Sequence, residues 1–177
     1  MEKNPVINMN LKYIHELLSQ INQAVQNDQF DVGKKILLEL QNNLTNEKNK
    51  DLFLLLGSIN NNLSKLLEFY IKVGINVKLS DETGCNLLHI AVSTGDWWYE
   101  QQVLREEFGE GSYPDDFTED LEDNYKIIQL LLDAGVKVNE RDKLNKLPIN
   151  YTSSQKVYDL LKSYLDKELA EQAEQSE

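Results

Sequence analysis

One cysteine, Cys85, stands among 177 residues, so no disulfide can close within the chain, a composition that suits a reducing compartment. No stretch approaches the eighteen or so consecutive apolar residues that a membrane span needs. The start, Met1-Glu2-Lys3-Asn4-Pro5, lacks the basic segment and apolar run of a secretory signal. The expectation is a cytoplasmic protein, with export by a route that needs no such signal left open. Histidine is scarce too, and His15 has no second histidine or cysteine at metal-ligand spacing. No phosphate loop or nucleophile elbow is present, and Cys85 lies in no nucleophile motif. These absences argue against an enzyme and predict neither cofactor nor metal. Positive charge is short as well: 18 Lys and Arg face 30 Asp and Glu, for a net charge of -12. Such a field repels phosphates and disfavours direct binding to nucleic acid.

What is there begins with where that acidity sits. Between Asp96 and Asp123, 11 carboxylates stand against Arg105 alone. From Asp166 to Glu177, 5 stand against Lys167. The rest of the chain is close to neutral and slightly basic, so the negative charge is carried by two appendages. A content of 41% hydrophobic residues is enough for the core of one globular domain.

Apolar positions recur at steps of three and four from Leu11 to Val25 and again from Phe30 to Leu40, predicting two helices that each bury one face. Gln41-Asn42-Asn43 should end the second, because asparagine favours turns over helix interiors. Asp51 to Ile59 is almost wholly apolar and should lie between neighbours. Asn60-Asn61-Asn62 breaks it, and Leu63, Leu66, Leu67, Tyr70 and Ile71 form the next amphipathic helix, stopped by Gly74. The same pattern returns at Ile127 to Val138, with Gly135 in the place of Gly74. The offset is 61 residues, which is one repeat unit plus the length of the acidic stretch.

Gly84, Asn86, Leu87, Leu88, His89 and Ala91 resemble the turn and helix opening of an ankyrin repeat, with Gly95 matching the glycine between its two helices. Ile127, Leu131, Leu132, Gly135, Val138 and Asn139 match the second helix and its exit. Asn145, Leu147, Pro148, Ile149 and Asn150 match the start of a further unit, Asn145 replacing the turn glycine as one of the few residues that tolerate positive φ. Ile59, Leu66, Ile71, Gly74 and Val77 match a unit without the box, and Ala24, Val32, Ile36 and Leu37 a more degenerate one. The resemblance implies an all-α solenoid of about four stacked helix-turn-helix units with short β-turn fingers over residues 1–165, and a polar tail at 166–177 continuing the last helix. It implies partner contacts from fingers such as Lys78 to Glu82 and Glu140 to Leu144, and from Ser93, Thr94, Ser153 and Ser154. It also implies that His89 hydrogen-bonds backbone and neighbouring turns.

The interruption, residues 96–123, is expected between the two helices of one unit. Two roles fit Trp97-Trp98-Tyr99, and they are compatible. The first helix can continue and lay these rings on the solenoid, or the rings can serve as a binding hot spot. With Tyr113, Phe117 and Leu121 interleaved among carboxylates, the stretch is read as an ordered binding element. Trp97, Trp98, Tyr99, Tyr113 and Phe117 are the expected apolar anchors. Asp115, Asp116, Glu119 and Asp120 are expected to steer a basic protein partner. That combination suits a monomeric inhibitor or immunity protein. The alternative is a secreted bacterial effector that engages a host protein through its repeats. The acidic run lacks the central glycine and ligand order of a calcium loop.

Overall fold

The computed structural model describes residues 11–44, 50–109 and 116–174, and all regular structure among them is helical apart from an isolated bridge between Ser80 and Asn86. The chain divides into two compact units, Met1–Lys50 and Asp51–Glu177.

In the first unit, α1 (Leu11–Gln26) packs against α2 (Phe30–Asn43). The spacing of three and four explains the pairing: Ile14, Leu17, Ile21, Ala24 and Val25 are buried along α1, and Leu37 and Leu40 along α2. The turn between them closes with the Gln29 N–H donating to the Ala24 carbonyl at 2.8 Å, a bond that requires Asp28 to take φ 57°.

The second unit holds α3 (Lys50–Asn60), α4 (Ser64–Lys72), α5 (Leu87–Phe108), α6 (Thr118–Asp133), a short 3-10 turn at Pro148–Tyr151, and α7 (Gln155–Glu174). α3 is buried on most sides, through Leu52, Leu54, Leu55, Ser58 and Ile59, as its unbroken apolar run requires, while Phe53 stays exposed. The asparagine run ends it: Asn62 adopts φ 55° and the Leu63 N–H bonds the Ser58 carbonyl at 2.8 Å. α6 packs on both α4 and α5, and the Pro148–Tyr151 turn packs on α5 and α7. α7 buries only Leu161 completely, which leaves it a largely polar outer helix reaching Glu174.

The offset of 61 residues is reproduced bond for bond. The N–H groups of Val73, Gly74 and Ile75 bond the carbonyls of Phe69, Ile71 and Tyr70, and those of Ala134, Gly135 and Val136 bond Leu130, Leu132 and Leu131. Gly74 and Gly135 take φ 87° and 78°. In the loops that follow, Asp81 N–H bonds the Cys85 carbonyl and Asp142 N–H bonds the Lys146 carbonyl. Gly84 and Asn145 hold φ 80° and 60° at equivalent positions. The left-handed conformation costs a side chain with a Cβ about 1–2 kcal/mol, a cost that asparagine partly avoids. Asn145→Ala should therefore lower stability by about 1 kcal/mol and Asn145→Gly should not, as read by urea unfolding midpoints.

One expectation is corrected. Gly95 does not separate two helices but lies inside α5, which runs on without a break to Phe108. Glycine is required there by packing: a Cβ at 95 would sit 2.0 Å from Oδ1 of Asn124 on α6. The Asn124 side chain is buried and donates to the Ala91 carbonyl at 2.9 Å. Beyond this crossing α5 runs on to Phe108 and α6 begins at Thr118, so both helices extend into the acidic stretch.

Candidate functional site

The lengthened α5–α6 pair carries Trp97, Trp98, Tyr99 and Phe117, four of the residues expected as anchors. Trp97 and Trp98 lie on the first turn of α5 past Gly95, with ring centroids 4.6 Å apart and planes at 77°. Phe117, just before α6, meets Trp98 at 5.2 Å and Trp97 at 6.0 Å. These edge-on and tilted arrangements match the quadrupoles of the rings. The Phe117 N–H donates to Oε1 of Gln102 at 3.1 Å, so the start of α6 is pinned to α5 and the third ring is held in register. Trp97 remains 51% exposed. Trp98 is half-buried, and its indole N–H, shielded from solvent, has no hydrogen-bond acceptor among the described residues. Tyr99 leaves this trio and lines a cleft beside Leu121 and Tyr125. Trp98 and Phe117 thus pack together on the helices, while Trp97 faces outward.

The carboxylates sort in the same way. Asp116 is exposed and accepts from the Thr118 hydroxyl at 2.7 Å and the Thr118 N–H at 3.1 Å, with an Arg105 nitrogen at 3.7 Å. The Thr118 hydroxyl and N–H, and then the guanidinium, hold its carboxyl below the usual range despite some burial. Glu119 is exposed on the first turn of α6. Asp120 is half-buried, and its carbonyl accepts from the Asn62 amide at 2.6 Å. Tyr113 and Asp115 lie outside the described residues.

Three ties fasten the two ends of the acidic stretch to the start of α4, the turn before it and the segment before α7. The Asp96 carboxylate accepts from the Ser153 N–H, the Asp123 carboxylate accepts from the Ser64 hydroxyl at 2.8 Å, and Asp120 is tied to Asn62. Deleting 96–123 would cut all three, so its contribution is tested by surface substitutions instead. Gln102, Arg105, Asn62 and Ser64 were not among the residues expected at the site. Their roles depend on which helix faces which, a register that spacing along one helix does not contain.

His89 sits away from the hairpin, at the base of the two equivalent loops, and is 1% exposed. Its Nδ1 accepts from the Asn86 N–H at 3.2 Å, and Nε2 lies 3.1 Å from the Lys146 carbonyl, to which it donates in that tautomer. His89 therefore joins one loop to the next. The Lys143 N–H bonds the Thr83 carbonyl across the same junction at 2.9 Å. Cys85 Sγ lies 3.9 Å from Asp142 Oδ2. Among the described residues no three His, Cys, Asp or Glu side chains converge as metal ligands would, and no helix is long and apolar enough to cross a membrane.

The loop aspartates carry a pH signature. Burial opposes ionisation of Asp81, but bonds from the Thr83 hydroxyl, the Thr83 N–H and the Cys85 N–H outweigh it and hold its carboxyl below the usual range. At Asp142 the Tyr151 hydroxyl acts first, with N–H groups of Lys146 and Leu144 adding to it. The same contact pushes the Tyr151 hydroxyl up to about 12. A carboxyl with a depressed folded pKa contributes stability above its unfolded pKa and loses that contribution as pH falls through the folded value. The urea midpoint should therefore fall once pH drops below about 4. Asp81→Asn combined with Asp142→Asn should flatten that acid limb.

Comparison of the sequence with protein-family models and with curated proteins found no match.

Proposed function

We propose that this chain is a non-enzymatic protein-binding module, built as an ankyrin-type solenoid, whose lengthened α5–α6 hairpin recognises one basic protein partner. The observation that carries this reading is the hairpin surface itself: an exposed Trp97, backed by Trp98 and Phe117, beside the exposed carboxylates Asp116 and Glu119. A rigid aromatic anchor in a charged frame is the common anatomy of a binding hot spot, where the ring supplies affinity and the charges set approach and orientation. The solenoid assignment is supported by the 61-residue recurrence of helix ends and loops, and by His89 bridging Asn86 and Lys146.

The charge makes the partner basic. With 11 carboxylates against one arginine between Asp96 and Asp123, the hairpin presents a field that a cationic surface relieves. An inhibitor or immunity protein fits, and a nuclease whose substrate phosphates the carboxylates imitate is a partner of suitable charge. The test is affinity capture from a native lysate with wild-type bait and with a bait carrying Asp116→Asn and Glu119→Gln. A basic protein should be held by the wild type at low salt and released as salt rises past about 0.1 M, where the screening length falls to about 10 Å. Capture that is indifferent to both salt and these substitutions would remove the carboxylates from the mechanism.

A further inference from the structure

We infer that Gln102, oriented by Glu106, is the positioning residue of the aromatic anchor, acting on the binding site through Phe117; this rests on reading the α5–α6 pair as the binding surface. The start of α6 breaks a local preference. Serine, threonine, aspartate or asparagine usually stands just before a helix, where its side chain takes up free N–H groups. Asp116 and Thr118 flank that place, but Phe117 occupies it. Its side chain makes no capping bond, and its backbone (φ -98°, ψ 14°) is not the extended shape usual there. A capping residue at 117 would serve α6 better and would leave Trp97 and Trp98 without their third ring. A broken local rule of this kind marks a position fixed by something other than helix stability.

The Phe117 N–H lies outside the helix ladder and needs an acceptor from elsewhere. Oε1 of Gln102 takes it at 3.1 Å. A glutamine amide can turn either its oxygen or its NH2 to a neighbour, and only the oxygen can accept this bond. Glu106, one turn further along α5, decides which. Gln102 Nε2 donates to Glu106 Oε1 at 3.2 Å, which turns the amide oxygen towards Phe117. A carboxylate only accepts, so the flipped amide would lose both bonds. Arg105 adds a weaker hold, with a nitrogen 3.7 Å from the exposed Asp116 carboxylate, and exposed ion pairs contribute little. Glu106 thus has a task distinct from steering a partner by charge. Its effect on binding comes through preorganisation, because an anchor already in its bound shape loses less freedom when the partner arrives.

The test compares the full chain with Gln102→Met, which keeps the shape of the side chain and removes the acceptor. It adds the double exchange Gln102→Glu/Glu106→Gln, which preserves net charge and leaves a carboxylate at 102 to accept from the Phe117 N–H. Two readouts need no partner: hydrogen exchange of the Phe117 amide by NMR, and tryptophan emission. Gln102→Met should speed that exchange about tenfold and shift the emission to the red, while the melting temperature falls by no more than about 4 °C. The double exchange should restore both signals, a rescue that a merely structural role does not predict. Glu106→Ala, at an exposed position, should give a smaller version of the same shifts and carries the test if Gln102→Met unfolds. Against the protein captured by wild-type bait, Gln102→Met should lower affinity about tenfold and the double exchange should recover it. Unchanged exchange and emission in Gln102→Met, or a double exchange no better than Gln102→Met, overturns the assignment. Affinity that falls with Trp97→Ala but not with Gln102→Met overturns the positioning role alone. Affinity indifferent to Trp97→Ala overturns the reading of the α5–α6 pair as the binding surface.

Discussion

Gly95→Ala should destabilise the protein by about 2 kcal/mol, the reverse of what alanine does in an unconstrained helix. At position 95 the new Cβ would lie 2.0 Å from Oδ1 and 2.5 Å from Cγ of Asn124, so either α6 moves away or the buried amide gives up its bond to Ala91. Overpacking and a stranded polar group together cost about 3 kcal/mol, and the gain in helix propensity offsets about 1. For a domain of this size the melting temperature should fall by about 6 °C. Gly57 is the internal control. It lies within α3, nothing stands within 4 Å of its would-be Cβ, and Gly57→Ala should stabilise by about 0.5–1 kcal/mol. In the double variant Gly95→Ala/Asn124→Ala the clash is gone, so the two losses should fail to add by about 1 kcal/mol or more. Additive losses in thermal or urea unfolding would mean that the crossing is not what fixes the glycine.

Trp97→Ala should weaken partner binding about a hundredfold while changing stability by no more than about 1 kcal/mol. The asymmetry follows from exposure: Trp97 leaves half its surface to solvent and touches the protein mainly through the edges of two rings. Trp98→Ala should differ, because that ring is half-buried against Trp97 and Phe117 and its loss leaves a gap, costing about 2–3 kcal/mol of stability. Trp98→Phe separates packing from hydrogen bonding. The indole N–H has no acceptor among the described residues, so removing it should leave stability almost unchanged. If the partner supplies the acceptor, the same substitution reduces affinity about tenfold. Titration calorimetry paired with circular-dichroism melts distinguishes these variants.

α3, α4 and the C-terminal part of α6 were legible in the sequence because each rests on a local signal. Steps of three and four mark the buried face of α4, the asparagine run ends α3, and Gly74 and Gly135 stop α4 and α6 in left-handed backbone. Asn145 could be assigned a turn glycine's place because its chemistry tolerates the φ of 60° found there. Gly95 misled for a physical reason. The resemblance placed it between two helices, whereas what requires a glycine there is its contact with Asn124, which is tertiary and 29 positions distant in the chain. The aromatic trio was half visible: Trp97, Trp98 and Phe117 could all be named from the sequence, but their meeting depends on the Gln102 bond across the helix pair. The division of the carboxylates into exposed Asp116 and Glu119 and the structural Asp96 and Asp123 was hidden for the same reason.

On the proposed function, the exposed face of the α5–α6 pair is the surface that takes a basic protein. The most direct measurement is a parallel affinity capture from native lysate with wild-type and Trp97→Ala baits, both checked for folding by their melts, with the captured protein then titrated by calorimetry. A basic protein should be held by the wild type at low salt and lost from the Trp97→Ala bait, with affinity lower by about two orders of magnitude. The same protein captured equally by both baits, with equal calorimetric affinity, would contradict it.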